Sequence, residues 1–205
     1  MRELTLESSM SKNFYISDTH LGHANIIGFD GREFKDTAEM EKVIIENWNS
    51  RVAKGDSVYI LGDFCWSTEP EWLRILSLLN GNKILIRGNH DIKHMSAALK
   101  KCFAYIKDYD EISDNGKKII MSHYPILFYR SSYNENVWHF CGHTHNRTNE
   151  EFKRRKFIKE LVEGRENSYD NRGQIVNVGA MMPYVNFTPR TADELIAWWR
   201  SEYVE

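Results

Sequence analysis

The run Lys83-Ile84-Leu85-Ile86-Arg87-Gly88-Asn89-His90-Asp91 decides how the chain is read. Its first half is apolar and β-branched, the pattern of a strand; its second half turns at once to glycine and to side chains that hold ions or protons. Four other stretches repeat the arrangement. Residues 13–17 lead into Asp18-Thr19-His20, residues 57–61 into Gly62-Asp63, residues 118–121 into Ser122-His123, and residues 137–141 into Gly142-His143-Thr144-His145. Six of the eight histidines fall in these places or just beyond them, as His23 does; only His94 and His139 lie elsewhere. Ligands in open α/β sheets bind beyond the carboxyl ends of strands, so five strands that end this way point to one shared site.

The intervening segments read as helices. Residues 36–52 place Met40, Val43, Ile44, Trp48 and Val52 at helical spacing, with Asp36 and Glu39 as a start signal. Residues 70–79 open with Pro70 and stop at Asn80-Gly81, and residues 92–103 suggest a third helix on thinner periodicity. Asn115-Gly116 marks a hairpin, and residues 174–178 form a late strand. Thr191 with Glu194 makes a capping box before a final helix. Strand and helix alternate early and strands dominate later. The expectation is an α/β fold, a sandwich of two mixed β-sheets flanked by helices, with residues 11–205 as a single domain and residues 1–10 disordered.

Composition narrows the function classes. A chain of 205 residues buries roughly 70% of its unfolded surface and needs no disulfide scaffold. With 41% hydrophobic and 27% charged residues it is neither disordered nor fibrous. A net charge of -2 argues against coating nucleic acid or membrane by bulk electrostatics, and no apolar run approaches a spanning length. Cys65, Cys102 and Cys141 are an odd set with no paired spacing, which reads as reduced thiols in a cytoplasmic protein.

Taken together, Asp18-Thr19-His20, Gly62-Asp63, Gly88-Asn89-His90-Asp91, His123 and Gly142-His143-Thr144-His145 resemble the calcineurin-like metallophosphoesterase superfamily, of the small bacterial or phage type. The resemblance covers residues 14 to about 188, and all five motif blocks are complete. An amidohydrolase would carry its His-x-His near the start of a much longer barrel, and a metallo-β-lactamase site needs a denser histidine cluster.

The resemblance implies two divalent metal ions per chain. Asp63 bridges them, Asp18, His20 and His145 complete one site, and Asn89, His123 and His143 complete the other. Imidazole and carboxylate suit Mn, Zn, Fe or Ni, with manganese the first expectation. Two divalent ions, two carboxylates and a bridging hydroxide leave a centre of about +1, which attracts phosphate. By the same resemblance the hydroxide attacks phosphorus, His90 protonates the leaving group, and Asp91 orients His90. The implied activity is hydrolysis of phosphomonoesters or phosphodiesters. The substrate would be a phosphorylated small molecule or nucleotide, with nucleic acid possible and no membrane partner. The alternatives are a non-catalytic metal-binding scaffold, a protein phosphatase or a nuclease of the same fold.

Several residues carry two readings. His23 and Asn25 extend the first motif as substrate contacts, or they cap a loop or helix. Arg87 is shaped for bidentate phosphate contact, or it forms a salt bridge at the strand end. Tyr124 reads as packing, Cys65 and Cys141 as buried inert thiols, and Trp48, Trp66, Trp72, Trp138, Trp198 and Trp199 as core, the last two also suiting an interface. Residues 146–173 are polar and hold Lys153-Arg154-Arg155-Lys156; a solvated surface helix is expected, with an anion-binding insert as the alternative.

Overall fold

Phe14, Tyr15 and Ile16 are buried one after another, so β1 (Asn13–Ile16) carries apolar matter on both faces, as a parallel strand inside an α/β layer must. The structure, a computed structural model, describes residues 11–204. The disorder expected over residues 1–10 lies outside the described residues. β1, β2 (Ser57–Ile60), β3 (Asn82–Ile86) and β4 (Phe103–Lys107) form one sheet in that order, every neighbouring pair parallel. β5 (Tyr109–Asp114), β6 (Lys117–Ser122), β7 (Val137–Cys141) and β8 (Ile175–Asn177) form a second. There β5 and β6 are antiparallel and the remaining pairs parallel. Of the two sheets expected to be mixed, only the second is.

The sheets meet through their apolar faces and along one edge. The Tyr15 ring of β1 lies edge-on to Phe140 of β7 at 4.9 Å, and both are fully buried. The Ser17 N–H donates to the Val178 carbonyl (2.9 Å), and the Ala180 N–H donates to the Ser17 carbonyl (2.8 Å). The chain leaving β1 and the chain leaving β8 therefore lie side by side, which brings the carboxyl ends of both sheets to one place.

Helices α1 (Ala24–Asp30), α2 (Thr37–Arg51), α3 (Glu69–Leu78), α4 (Ala97–Lys100), α5 (Asn149–Glu163) and α6 (Ala192–Tyr203) flank the sheets. α2 starts where expected, with the Glu39 N–H donating to the Asp36 carboxylate. α6 carries the complete Thr191–Glu194 capping box. The hairpin turns at Asn115 and Gly116, both left-handed (φ 46° and 77°), as a tight antiparallel connection requires. The helix expected over residues 92–103 shrinks to α4, capped by Ser96, and is followed by the unanticipated β4. Asp91, which would cap a helix opening at Ile92, instead accepts hydrogen bonds from the backbone of residues 63, 64 and 88.

The polar stretch 146–173 holds α5, which is not wholly solvated. Ile158 is buried, and so is the pair Glu151–Arg154, joined by two hydrogen bonds of 2.6 and 2.7 Å. The Thr144 hydroxyl donates to Glu151 (2.8 Å), and Asn177 Nδ2 donates to both Thr144 and Glu151. Half of the basic run is thus spent on internal pairing, because Arg155 also bonds Glu151 (2.9 Å). Glu151→Ala strands a buried guanidinium and should cost roughly 3–5 kcal/mol in denaturant unfolding, whereas Glu163→Ala, at an exposed pair, should leave the midpoint nearly unchanged. Equal, small effects would make α5 the solvated helix that its composition suggests.

Candidate metal centre

Three of the five strand ends, those of β1, β2 and β7, deliver their side chains through an unusual backbone turn. Asp18 (φ 52°), His20 (φ 48°), Asp63 (φ 51°) and His143 (φ 68°) are all left-handed, at a cost of about 1–2 kcal/mol each for a residue with a Cβ. Hydrogen bonds hold them there. The Asp18 N–H donates to the Gly62 carbonyl (3.0 Å) and the His20 N–H to the Asp63 carbonyl (3.0 Å), while the His143 N–H donates to Asp18 Oδ2 (3.0 Å). Two glycines permit the close approach: a methyl group at Gly88 would collide with the Asp63 carboxylate, and one at Gly142 with the Asp18 carboxylate and the Ser17 hydroxyl.

The side chains converge. His20 Nε2 lies 3.9 Å from Asp18 Oδ1 and 3.7 Å from Asp63 Oδ2. His145 Nε2 lies 3.7 Å from Asp18 Oδ1, and His123 Nε2 lies 3.4 Å from Asp63 Oδ2. Most of these gaps are too long for hydrogen bonds, yet they match the separation of about 3–3.5 Å or slightly more between ligands that share an ion at about 2.1 Å. Donor atoms of Asp18, His20 and His145 lie within 4.8 Å of one another, as do those of Asp18, Asp63 and His123. Asn89 Oδ1 sits 3.0 Å from both His123 Nε2 and His143 Nδ1. All seven expected ligands are therefore brought together, with Asp63 between the His20 side and the His123 side.

Two histidines are fixed by partners that settle which nitrogen faces inward. A carbonyl can only accept, so His123 Nδ1 donates to Leu61 (2.8 Å) and turns Nε2 toward Asp63. His145 Nδ1 donates to Asp30 Oδ1 (2.7 Å), turning Nε2 toward Asp18. Asp30 in turn accepts from Arg32, whose buried guanidinium also donates to the carbonyls of Asp18 (3.0 Å) and Thr19 (2.8 Å). Arg32 thus ties the strained first turn to the partner of His145. Neither Asp30 nor Arg32 was expected from sequence; the only local signal is an Asp-Gly-Arg turn of opposite charges.

The electrostatics favour cations. Burial pushes the His20 pKa down to about 3, so its ring is neutral and its lone pair free. Burial alone would lower His123, but the Asp63 contact and the charges of Asp18 and Asp63 raise it to about 9. Burial would raise Asp63, yet His123 beside it and the His90 N–H hold it down near 2. His20 Nε2 is buried with no hydrogen-bond partner among the described residues, a costly state that a cation would relieve. The mixture of imidazole, carboxylate and amide oxygen suits Mn, Zn, Fe or Ni better than an all-oxygen ion such as Ca.

Two expectations, for Asp91 and Trp66, need correcting, and of the two readings of Arg87 the structure holds the salt bridge. Asp91 does not orient His90: its carboxylate is buried, pushed up to about 6 by desolvation, and accepts from the N–H groups of Asp63 (3.2 Å), Phe64 (3.0 Å) and Gly88 (2.8 Å). Arg87 takes the salt-bridge reading, held by two 2.8 Å bonds to Asp108. Trp66 is not core; it is 44% exposed and stacks on His23 at 4.4 Å. His90 is exposed beside Trp66 (4.6 Å between rings), 5.9 Å from the His20 ring, and its N–H donates to Asp63 Oδ1 (2.8 Å). His23 stands at the N-cap of α1 without capping it through its side chain, and Asn25 is exposed in the first turn. Tyr124 is half-exposed, edge-on to His143 at 4.5 Å. His139 is a satisfied core histidine, and burial pushes the Cys65 and Cys141 thiols up to about 12.

Comparison with known proteins agrees with this geometry. The sequence profile of the calcineurin-like phosphoesterase superfamily domain matches residues 12–192. An uncharacterised protein of the archaeon Methanocaldococcus jannaschii is 37% identical over 161 residues, 76% of this chain and 84% of its own length. The gene 66 protein of Mycobacterium phage D29 is 32% identical over 136 residues, covering 58% of this chain and 66% of that protein. The crystal structure of a protein of unknown function from Aquifex aeolicus superposes with a TM-score of 0.59 at 27% identity, covering 92% of this chain and all of that one.

Two substitutions separate the supports of the site. Asp91→Ala leaves three backbone N–H groups short of an acceptor and should lower the Tm of metal-free protein by on the order of 5–10 °C. An unchanged Tm with a rate loss confined to poor leaving groups would return Asp91 to His90. Asp30→Asn should weaken metal binding about 10–100-fold in calorimetric titration, because His145 loses its charged partner. Unchanged affinity would leave Asp30 as no more than the counter-ion of Arg32.

Proposed function

This chain belongs to the calcineurin-like phosphoesterase superfamily, and from that premise we propose that it is a phosphoric ester hydrolase working with two divalent cations. The observation that carries the reading is the convergence of His20, His123 and His145 from both sheets on the Asp18–Asp63 pair, with Asn89 and His143 beside His123 and an unpartnered, buried His20 nitrogen among them. Asp18, His20 and His145 would hold one ion, Asn89, His123 and His143 the other, and Asp63 would touch both. Bound there, the cations would supply a nucleophilic water of lowered pKa and positive charge for the phosphoryl oxygens.

The chain's own residues do the rest. His90 presents an exposed imidazole next to the cluster, where it can donate a proton to a departing alkoxide. Its backbone N–H donates to Asp63, which anchors the residue beside the carboxylate that both ions would share. Trp66 flanks the His90 ring and stacks on His23, forming a partly exposed aromatic edge on that side of the site. Arg87 lies beside Asn89 and His123 and would reach a phosphoryl oxygen only by leaving Asp108, an exposed pair that is cheap to break. Manganese is the first choice of metal, with zinc, iron or nickel as substitutes. The substrate class is a phosphorylated small molecule or nucleotide handled in the cytoplasm, with residues 11–205 acting as one domain. Among the described residues, no helix is long and apolar enough to cross a membrane.

Elemental analysis after manganese loading should approach two ions per chain, and the loaded protein should hydrolyse p-nitrophenyl and bis-p-nitrophenyl phosphate. His90→Ala should keep both ions and lower kcat by about 10²–10⁴ for alkyl leaving groups but much less for p-nitrophenolate. Two bound ions with no turnover on any ester would instead make the protein a non-catalytic scaffold.

A further inference from the structure

A cleft of about 650 Å³ opens from the metal centre at His143 and runs between the segment after β6 and the face of α5. Tyr124, Pro125 and Leu127 form one wall and Phe157 the other. The cleft has the size of a nucleoside-bearing ligand pocket. Two of its rings are open to the cleft: Tyr124 is half-exposed and Phe157 is partly exposed. The charges of the α5 wall cancel. Lys153 and Lys156 stand with Glu150 and Glu160, and Arg154 is neutralised by Glu151. The cleft is therefore suited to a flat, uncharged group and has no surplus cation for a second phosphate.

Position says which part of the substrate enters. His90 stands on the opposite flank, with its ring beside His20 and Trp66, whereas the cleft begins at His143 and Tyr124. If His90 protonates the departing oxygen, the leaving alcohol lies on the His90 flank, and the cleft receives the substituent that stays on phosphorus. A monoester has no such substituent. Resting on the phosphoesterase reading above, we propose that the substrate is a nucleotide phosphodiester whose retained nucleoside stacks between Tyr124 and Phe157. Water adds to phosphorus, the P–O bond to the leaving alcohol breaks, the alcohol leaves with a proton from His90, and the nucleoside monophosphate remains.

The test holds the leaving group and the charge constant. Manganese-loaded full-length protein is given thymidine 5′-(p-nitrophenyl phosphate) and methyl p-nitrophenyl phosphate, two diesters that differ only in the retained substituent. kcat/KM should favour the thymidylyl ester by about tenfold or more, the worth of one stacked base, and Phe157→Ala should collapse most of that preference through KM. Thymidine 5′-monophosphate should also bind the parent about tenfold more tightly than methyl phosphate in calorimetry, a reading that needs neither a variant nor turnover. Equal kcat/KM for the two diesters, equal binding of the two monophosphates, or a preference that survives in folded, metal-replete Phe157→Ala would overturn the cleft assignment while leaving the phosphoesterase reading intact. Turnover of p-nitrophenyl phosphate without turnover of either diester would overturn the diester assignment alone; no turnover of any of the three esters would overturn the phosphoesterase reading as well.

Discussion

Asp18 and Asp63 are brought close together out of water, and the surrounding structure answers to that single electrostatic constraint. Like charges in a desolvated site are tolerated only when donors or cations face them. Asp18 takes hydrogen bonds from the Ser17 hydroxyl (2.6 Å) and the His143 N–H (3.0 Å), and Asp63 takes one from the His90 N–H (2.8 Å). Four imidazoles stand around them, one of them, His123, pushed up to about 9 by the two carboxylates. The remaining negative charge is the attraction for cations, and the left-handed turns at Asp18, His20, Asp63 and His143 are the conformational cost of aiming the side chains inward.

Neither sheet alone makes the centre. The parallel sheet supplies Asp18, His20, Asp63 and Asn89; the mixed sheet supplies His123, His143 and His145. They are kept in register by the backbone bonds of Ser17 with Val178 and Ala180, immediately beside the first ligand. The Glu151–Arg154 pair of α5 holds Thr144, which lies between His143 and His145, so a helix outside the sheets also steadies two ligands. Asp91 does the same for the parallel sheet, joining the turns after β2 and β3 through backbone donors. Stability and function share these contacts, because the residues that would hold the ions are the ends of the strands that form the core.

Legibility followed the range of the signal. α2, α6 and the β5–β6 hairpin were readable because caps and Asn-Gly turns act within four residues. Residues 92–103 misled because a weak periodicity in Ile92, Met95 and Leu99 resembles a helix, while β4 is an edge strand with little buried surface. α1 went unread because the seven residues of 24–30 are too few to show a period before Gly31 (φ 60°) ends them. The stretch 146–173 read as solvated because charge patterning does not reveal that Glu151 and Arg154 are buried against each other.

By itself the sequence determined every sheet-forming run except β4, the residue type at each strand end that feeds the site, and hence the set of side chains available to hold metal. These are local facts, because a strand that stops in glycine and a histidine places that histidine at the sheet's carboxyl edge wherever the sheet lies. Only the tertiary structure decided what each polar group bonds. Asp91 went to the backbone 28 residues earlier, Arg87 to Asp108, and His145 to Asp30, 115 residues away. It also put Trp66 at the surface beside His90 and opened the cleft between Tyr124 and Phe157. Hydrogen bonds and stacking depend on ångström separations that the folded chain creates between distant positions, and spacing along the sequence carries no record of them.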